Sequence, residues 1–185
     1  MKKQSSAVIS IITVCSAFYL WELLDPNIIN TLALGSFDYL KYSNEWYRLF
    51  TVALMHDNSS FLPIHLAFNM MALHQLGSPL EYVFGKAKFL LIFFFSLLTG
   101  SLVSAFLMGA GGYSIGASGA VFGLFGALIA AGPRIGVQVK SIYTIVAINF
   151  AIGFTIGGVD WHAHLGGLIG GAIITKLLLG LNASK

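Results

Sequence analysis

The sequence predicts an all-α, polytopic membrane protein with six transmembrane helices. Of its 185 residues, 57% are hydrophobic and only 9% are charged, and the mean hydropathy is +0.83. A soluble domain carries roughly 25% charged residues. A helix needs about 20 mainly apolar residues to cross the hydrocarbon, and six such stretches with their loops use up the chain. We therefore expect residues 1–185 to form a single membrane domain without a soluble partner domain.

The composition argues against several other classes of protein. The net charge of +3 comes from basic residues scattered among loops, so no basic run indicates a nucleic-acid partner. Cys15 is the only cysteine, which excludes an intrachain disulfide. The apolar run over residues 7–24 is long for a signal peptide and ends in Glu22 and Asp25 without a clear cleavage site. It is interpreted as a retained first helix.

Six spans can be drawn along the chain, with the longest connection between the first and the second. Their approximate bounds are 6–24, 61–79, 87–108, 115–131, 139–157 and 161–180. The connection over residues 25–60 mixes charged and aromatic side chains, so it is too polar to span the bilayer. Because Trp and Tyr favour the membrane–water boundary, we expect it to lie partly there.

Basic residues set the predicted orientation, because six spans place both termini on one side. That side carries Lys2, Lys3, Lys86, Lys88, Arg134, Lys140, Lys176 and Lys185. The opposite side carries only Lys41 and Arg48. Loops rich in Lys and Arg stay in the cytoplasm, so both termini are predicted to be cytoplasmic.

Glycines mark one face of the fourth span and two rows on the sixth. The fourth carries Gly116, Gly119, Gly123 and Gly126, and the sixth carries the pairs Gly166/Gly170 and Gly167/Gly171. Residues three or four apart share a helix face. Since glycine faces let transmembrane helices approach closely, the fourth and sixth spans are predicted to pack together.

Two polar residues flank these faces at similar predicted depth. Ser118 lies near the outer end of the fourth span and His164 near the outer start of the sixth. Polar side chains inside a membrane are costly and often functional, and a neutral imidazole can take the proton of a serine nucleophile. A lone serine in a membrane helix more often serves packing, so the residues by themselves leave both interpretations open.

The second span contributes a second polar pair. His65 and Asn69 are four residues apart and share a helix face. Both can donate hydrogen bonds to a carbonyl oxygen that becomes negatively charged during acyl transfer. The alternative is a polar pair that bridges helices.

The remaining polar candidates are expected to have other roles. His56 is expected to be structural, and both His74 and His162 are expected near the membrane surface. Asp160 precedes His164 by a full turn and is expected in the loop, so a Ser–His dyad is preferred to a triad. The sequence His162-x-His164 lacks a nearby carboxylate or thiol cluster, so neither a metal nor a cofactor is predicted.

Three motifs resemble those of the rhomboid intramembrane serine proteases, and most resemble the bacterial GlpG type. They are HLAFN from His65 to Asn69, GASG around Ser118 and AHLGG around His164. The family forms are H-x-x-x-N, G-x-S-G and A-H-x-x-G, in the same order and on the same spans. The resemblance implies a rhomboid-like bundle with Ser118 as nucleophile, His164 as base, and His65 and Asn69 in the oxyanion hole.

The resemblance also shows what is particular to this chain. It implies structural roles for His56 and Glu81, and it suggests Phe68 and the start of the fifth span as elements that admit substrate. Tyr47-Arg48 stands where relatives commonly have Trp-Arg, and Phe122 stands where many have a Tyr that stacks on the catalytic histidine. The cytosolic N-terminal domain of many GlpG-type proteins is absent from this sequence, so a minimal catalytic core is expected.

The function implied is an endopeptidase of the bacterial inner membrane. Its expected partners are the lipid bilayer and protein substrates with a transmembrane segment, cut near the outer membrane face. One alternative is a channel or transporter. Against it, the two halves of the sequence show no inverted repeat, and the presumed conduction path contains no charged residue. Another is a rhomboid-like protein that binds membrane clients without cutting them. The presence of both Ser118 and His164 speaks against that alternative.

Overall fold

A computed structural model of the chain describes residues 6–59, 63–155 and 158–183. This part of the chain contains nine α-helices. They are α1 (Ser6–Leu24), α2 (Ile28–Leu32), α3 (Phe37–Ser43), α4 (Arg48–Thr51), α5 (Ile64–Phe84), α6 (Lys86–Leu107), α7 (Ser118–Ile135), α8 (Val139–Thr155) and α9 (Trp161–Ala183). A 3-10 turn covers Val52–Leu54. Strands β1 (Leu34–Gly35) and β2 (Tyr113–Ser114) pair antiparallel, with Leu34 opposite Ser114.

The six long helices fall where the sequence predicts spans, with shifted ends. Helix α5 begins at Ile64 and continues beyond 79 to Phe84. The expected start at 61 lies outside the described residues. Helix α7 begins at Ser118 rather than 115 and ends at Ile135 rather than 131. The expected end of the fifth span at 157 lies outside the described residues, as do Lys2, Lys3 and Lys185.

Length and hydropathy support a multi-pass membrane protein. Within the described ranges, three helical segments are long and apolar enough to cross a bilayer: Ser6–Leu24, Lys86–Leu107 and Trp161–Gly180. Two shorter apolar segments cover Ser118–Gly132 and Val139–Thr155. Helix α5 is not among these five, because polar side chains such as His65, Asn69 and Glu81 interrupt its apolar sequence.

A buried carboxylate joins the start of α1 to the end of α5. The Glu81 side chain is 7% exposed, and its two oxygens accept hydrogen bonds from the backbone N–H groups of Ala7 and Val8, both at 2.9 Å. The first N–H groups of a helix have no intrahelical acceptor, and the helix dipole favours a negative charge there. Glu81 therefore caps α1 and fixes where it meets α5.

The connection between α1 and α5 is folded around Arg48. This buried guanidinium donates to Glu45 at 2.7 Å, to the Ala33 carbonyl at 2.7 Å and to the Asn30 carbonyl at 2.9 Å. Its hydrogen bond holds the pKa of the partly exposed Glu45 carboxyl below its usual range. Helices α2 to α4 are not predicted from the sequence, because each is too short to show an apolar period.

Helix α9 packs against α7 through glycine, as the sequence predicts, and a second row of its glycines packs against α6. A Cβ atom at Gly167 would lie 2.7 Å from the carbonyl carbon of Gly119, and one at Gly171 would lie 2.5 Å from that of Gly123. The second glycine row faces α6, since a Cβ at Gly166 would lie 2.7 Å from the Thr99 carbonyl oxygen. The two rows therefore contact different helices, and each contact is backbone against backbone or nearly so.

One predicted member of the α7 glycine face does not belong to it. Gly116 precedes the helix and has φ = +115°, a conformation that side chains with a Cβ rarely adopt. It forms the turn that leads into α7, and its N–H donates to the Val52 carbonyl at 2.9 Å. The sequence spacing placed it on the helix because spacing alone does not show where a helix begins.

We expect Gly167→Ala and Gly171→Ala each to lower the stability of the protein in detergent. The added methyl would collide with a carbonyl of α7, and overpacking of this kind costs about 1–3 kcal/mol or more. Thermal unfolding of the purified variants measures the loss. Gly180→Ala is the matched control on the same helix, because a Cβ there has no described atom within 4 Å. Equal midpoints for all three variants would contradict the close contact.

Candidate active site

Ser118 is the first residue of α7, directly after the turn at Gly116. The N–H groups in the first turn of a helix have no intrahelical acceptor and lie at the positive end of the helix dipole. The serine hydroxyl therefore lies beside backbone donors that favour negative charge. A Cβ at Gly116 would lie 2.8 Å from Cε1 and Nε2 of His65, so a side chain larger than hydrogen would displace that ring.

His164 contacts Ser118 directly. Its Nε2 lies 2.9 Å from the serine Oγ, and its ring, in the first turn of α9, is 8% exposed. The Phe122 ring stacks on the imidazole with centroids 4.0 Å apart and an interplanar angle of 6°. Phe122 thus packs face to face on the imidazole and offers it no hydroxyl.

This contact involves two residues rather than three within the described part of the chain. Nδ1 of His164 is buried and has no hydrogen-bond partner there. Asp160 lies in the loop before α9, as the sequence predicts, and its carboxylate accepts from the Ala163 N–H at 3.0 Å and from the Ser104 hydroxyl at 2.5 Å. Asp160 thus caps α9 and ties its start to α6, with no hydrogen bond to the His164 ring.

His65 and Asn69 lie on α5 near the start of α7. Nδ1 of His65 accepts a hydrogen bond from the backbone N–H of Asp57 at 3.1 Å, and its Nε2 edge faces Gly116. The Asn69 side chain is 6% exposed and donates to the His65 carbonyl at 3.0 Å. One of its two amide protons is therefore used within α5, and the other is available for a further acceptor.

None of the other three histidines makes a hydrogen bond to the serine hydroxyl within the described residues, and one of them packs on His65. His162 is partly exposed, with Nδ1 3.7 Å from Asp160 Oδ1, and His74 is exposed on α5. His56 is fully buried, with its ring centroid 5.1 Å from that of His65. Burial is the main reason that the pKa of His56 falls to about 3, so this ring is neutral at physiological pH.

One residue near the site, Glu22, is not predicted from the sequence to have a role there. In the structure it is 1% exposed and accepts a hydrogen bond from the His56 backbone N–H at 3.2 Å. A carboxylate inside an apolar helix is itself a signal that could have identified it. Across residues 6–59, 63–155 and 158–183, no cluster of three His, Cys, Asp or Glu side chains could hold a metal ion.

Comparison with known families and proteins identifies relatives of the chain. Residues 43–181, well over half of the chain, match the Rhomboid domain. The chain is 37% identical over 166 residues to the rhomboid protease GluP of Bacillus subtilis, covering 83% of this chain and 31% of GluP. It is 34% identical over 140 residues to the putative rhomboid protease YdcA of the same organism, covering 73% of this chain and 68% of YdcA.

A plant relative matches over the same extent of the chain. The chain is 33% identical over 167 residues to RHOMBOID-like protein 1 of Arabidopsis thaliana, covering 85% of this chain and 41% of that relative. The chain thus spans about a third of GluP and two fifths of the plant protein. From the match over residues 43–181 and the identity to YdcA, the chain belongs to the rhomboid family.

Proposed function

We propose that the protein is an intramembrane serine endopeptidase that uses Ser118 and His164 as a dyad. The observation that carries this proposal is the 2.9 Å contact between Ser118 Oγ and His164 Nε2, at the point where α7 and α9 pack through glycine. A nucleophile and a base within hydrogen-bond distance are the minimum for acyl transfer by serine. Relatives named as proteases, such as GluP, support the same activity.

The proposed reaction has two acyl-transfer steps. As Ser118 Oγ attacks the scissile carbonyl, His164 Nε2 takes the hydroxyl proton and then gives it to the leaving amine, which releases the first product. Water then attacks the acyl-enzyme ester, and His164 takes a proton from that water and returns it to Ser118 Oγ. Peptide and water are consumed, and a carboxylic acid and an amine are formed.

Hydrogen-bond donors around Ser118 would stabilise the negative charge on the tetrahedral intermediate. The backbone amides at the start of α7 lie beside the serine, and the Nε2 edge of His65 adjoins Gly116. Asn69, one turn further along α5, has an amide proton to offer. Donors held in place before the reaction stabilise developing charge without reorganisation. His164 is likewise held by its stacking on Phe122.

The site is proposed to lie near the outer face of the membrane. The six long helices are proposed to span it, with both termini in the cytoplasm of a bacterial cell and the chain in its inner membrane. Glu81 ties the start of α1 to the end of α5, so this end of the bundle is opposite the start of α5, where His65 lies. Ser118 and His164 would therefore be near the outer face, where they would cut transmembrane segments of protein substrates.

The dyad is tested by removing each member. We expect Ser118→Ala and His164→Ala each to abolish cleavage of a transmembrane reporter in proteoliposomes. The double variant should be no worse than either single one, because residues that act as a unit are not additive. Ser118 should also be the residue labelled by a fluorophosphonate probe. A double variant far slower than both single ones would contradict the dyad, and an unlabelled, inactive wild type would favour the client-binding alternative.

Separate roles for the histidines predict separate kinetic effects. His65→Ala should lower kcat by about 10²–10³-fold, the usual cost of losing one oxyanion donor. His162→Ala and His74→Ala are the controls, since neither ring contacts Ser118, and both should cleave the reporter at close to the wild-type rate. Loss of activity in His162→Ala with retention in His164→Ala would show that the base has been assigned to the wrong residue.

A further inference from the structure

Glu22 takes no part in the proposed reaction, although its carboxylate is almost completely buried. It lies near the end of α1 and is 1% exposed. Oε2 accepts a hydrogen bond from the backbone N–H of His56, and Oε1 has no partner within the described residues. A buried carboxylate with one hydrogen bond is costly to keep, so its contact with the His56 backbone needs an explanation.

Two consecutive backbone amides connect Glu22 to the proposed oxyanion hole. The His56 N–H donates to Glu22 at 3.2 Å, and the next N–H, that of Asp57, donates to His65 Nδ1 at 3.1 Å. Glu22 belongs to α1 and His65 to α5, while His56 and Asp57 lie in the connection between them. The short segment His56–Asp57 is thus held by side chains of two different long helices.

The hydrogen bond from Asp57 decides which nitrogen of His65 carries the proton. A backbone N–H can only donate, so Nδ1 must be the bare, accepting nitrogen of the ring. In the neutral imidazole the proton is then on Nε2, the nitrogen that faces Gly116. An oxyanion donor needs an N–H at that position, whereas the other tautomer would present a lone pair to the negative oxygen.

Further contacts restrict the movement of this segment. The His56 ring is fully buried, and it packs on the His65 ring at 5.1 Å between centroids with an interplanar angle of 60°. The Asp57 carboxylate accepts from the backbone N–H and the hydroxyl of Ser59, at 3.0 Å and 3.1 Å. These contacts hold the segment with its two amides facing Glu22 and His65.

We propose that Glu22 is a positioning residue that acts through the His56–Asp57 backbone to keep His65 in its Nε2–H tautomer, aimed at the oxyanion. This inference rests on the proposed protease function, and it adds a residue of α1 to a site otherwise built from α5, α7 and α9. Glu22 contacts no reacting atom. Its effect reaches the reaction through the peptide that donates to His65.

The kinetic test compares three variants of the full chain on the transmembrane reporter. Glu22→Ala removes the acceptor, and we expect kcat to fall about 10–100-fold, part of the cost of losing an oxyanion donor, with KM changed by less than about twofold. Glu22→Gln keeps a carbonyl oxygen that can accept the His56 N–H, so it should restore kcat to within about threefold of wild type. Asp25→Ala is the matched control, an exposed carboxylate three residues on that contacts the backbone of Asn27 instead.

A spectroscopic test reports the tautomer directly. In protein with 15N-labelled histidine, a protonated ring nitrogen and a bare one give well-separated signals, and the His65 signals are assigned by their loss in His65→Ala. We expect wild type and Glu22→Gln to show a single tautomer with the proton on Nε2. Glu22→Ala should show a mixture. A purely structural role for Glu22 would lower the unfolding midpoint without changing these signals.

The outcomes separate this inference from the proposed function. Wild type that neither cleaves the reporter nor takes the fluorophosphonate label overturns the protease function. Active wild type with Glu22→Ala equally active, or with Glu22→Gln as slow as Glu22→Ala, overturns the positioning role and leaves the function intact. If Glu22→Ala does not fold, the wild-type spectrum tests the inference instead. A signal that places the His65 proton on Nδ1 would overturn it.

Discussion

The contact between the backbones of α7 and α9 is the constraint on which the rest of the structure depends. The carbonyls of Gly119 and Gly123 lie where Cβ atoms would stand at Gly167 and Gly171, so the two helices approach as closely as helices can. In a bilayer the hydrophobic effect does not drive helices together, and close van der Waals packing has to supply the association. The same contact sets the register that places Ser118 Oγ 2.9 Å from His164 Nε2. Packing and the proposed chemistry therefore share one interface.

Three polar side chains of the described residues act at the ends of elements, where backbone groups lack partners. Glu81 accepts from the first turn of α1, Asp160 accepts from the first turn of α9, and Arg48 donates to carbonyls around the end of α2. Glu81 and Arg48 satisfy backbone groups that lie far from them in the chain. Asp160 caps its own helix and also accepts a hydrogen bond from Ser104 of α6. Because an unsatisfied backbone group is costly away from water, such contacts fix how the helices are joined. Asp160 acts at the end of the bundle that holds Ser118, and Glu81 acts at the opposite end.

The proposed site draws on four helices and one connecting segment. Helices α7 and α9 bring the proposed nucleophile and base, and α5 brings the proposed donors. Among the described residues, α1 is linked to this site through the peptide between His56 and Asp57. The residues of the first three contributions lie within residues 43–181, the part of the chain that matches the Rhomboid domain. The contribution of α1 follows from two backbone hydrogen bonds and from no motif. Glu22, which contacts no reacting group, is thus proposed to help orient the oxyanion donor His65 through two backbone amides.

The sequence by itself determined the helical membrane character, the approximate positions of the six long helices and the three motifs, because apolar length and glycine spacing are local properties of the chain. It also predicted the packing of the fourth and sixth spans, since a glycine face has few other uses in a membrane. Only the tertiary structure decided that Gly116 belongs to a turn, that Asp160 caps α9, and that the connection after α1 folds into short helices around Arg48. The link from Glu22 to His65 was likewise beyond sequence reasoning, because it passes through backbone amides that no side-chain pattern encodes. Distances between residues far apart in the chain depend on how helices pack, and that is fixed by the whole structure at once.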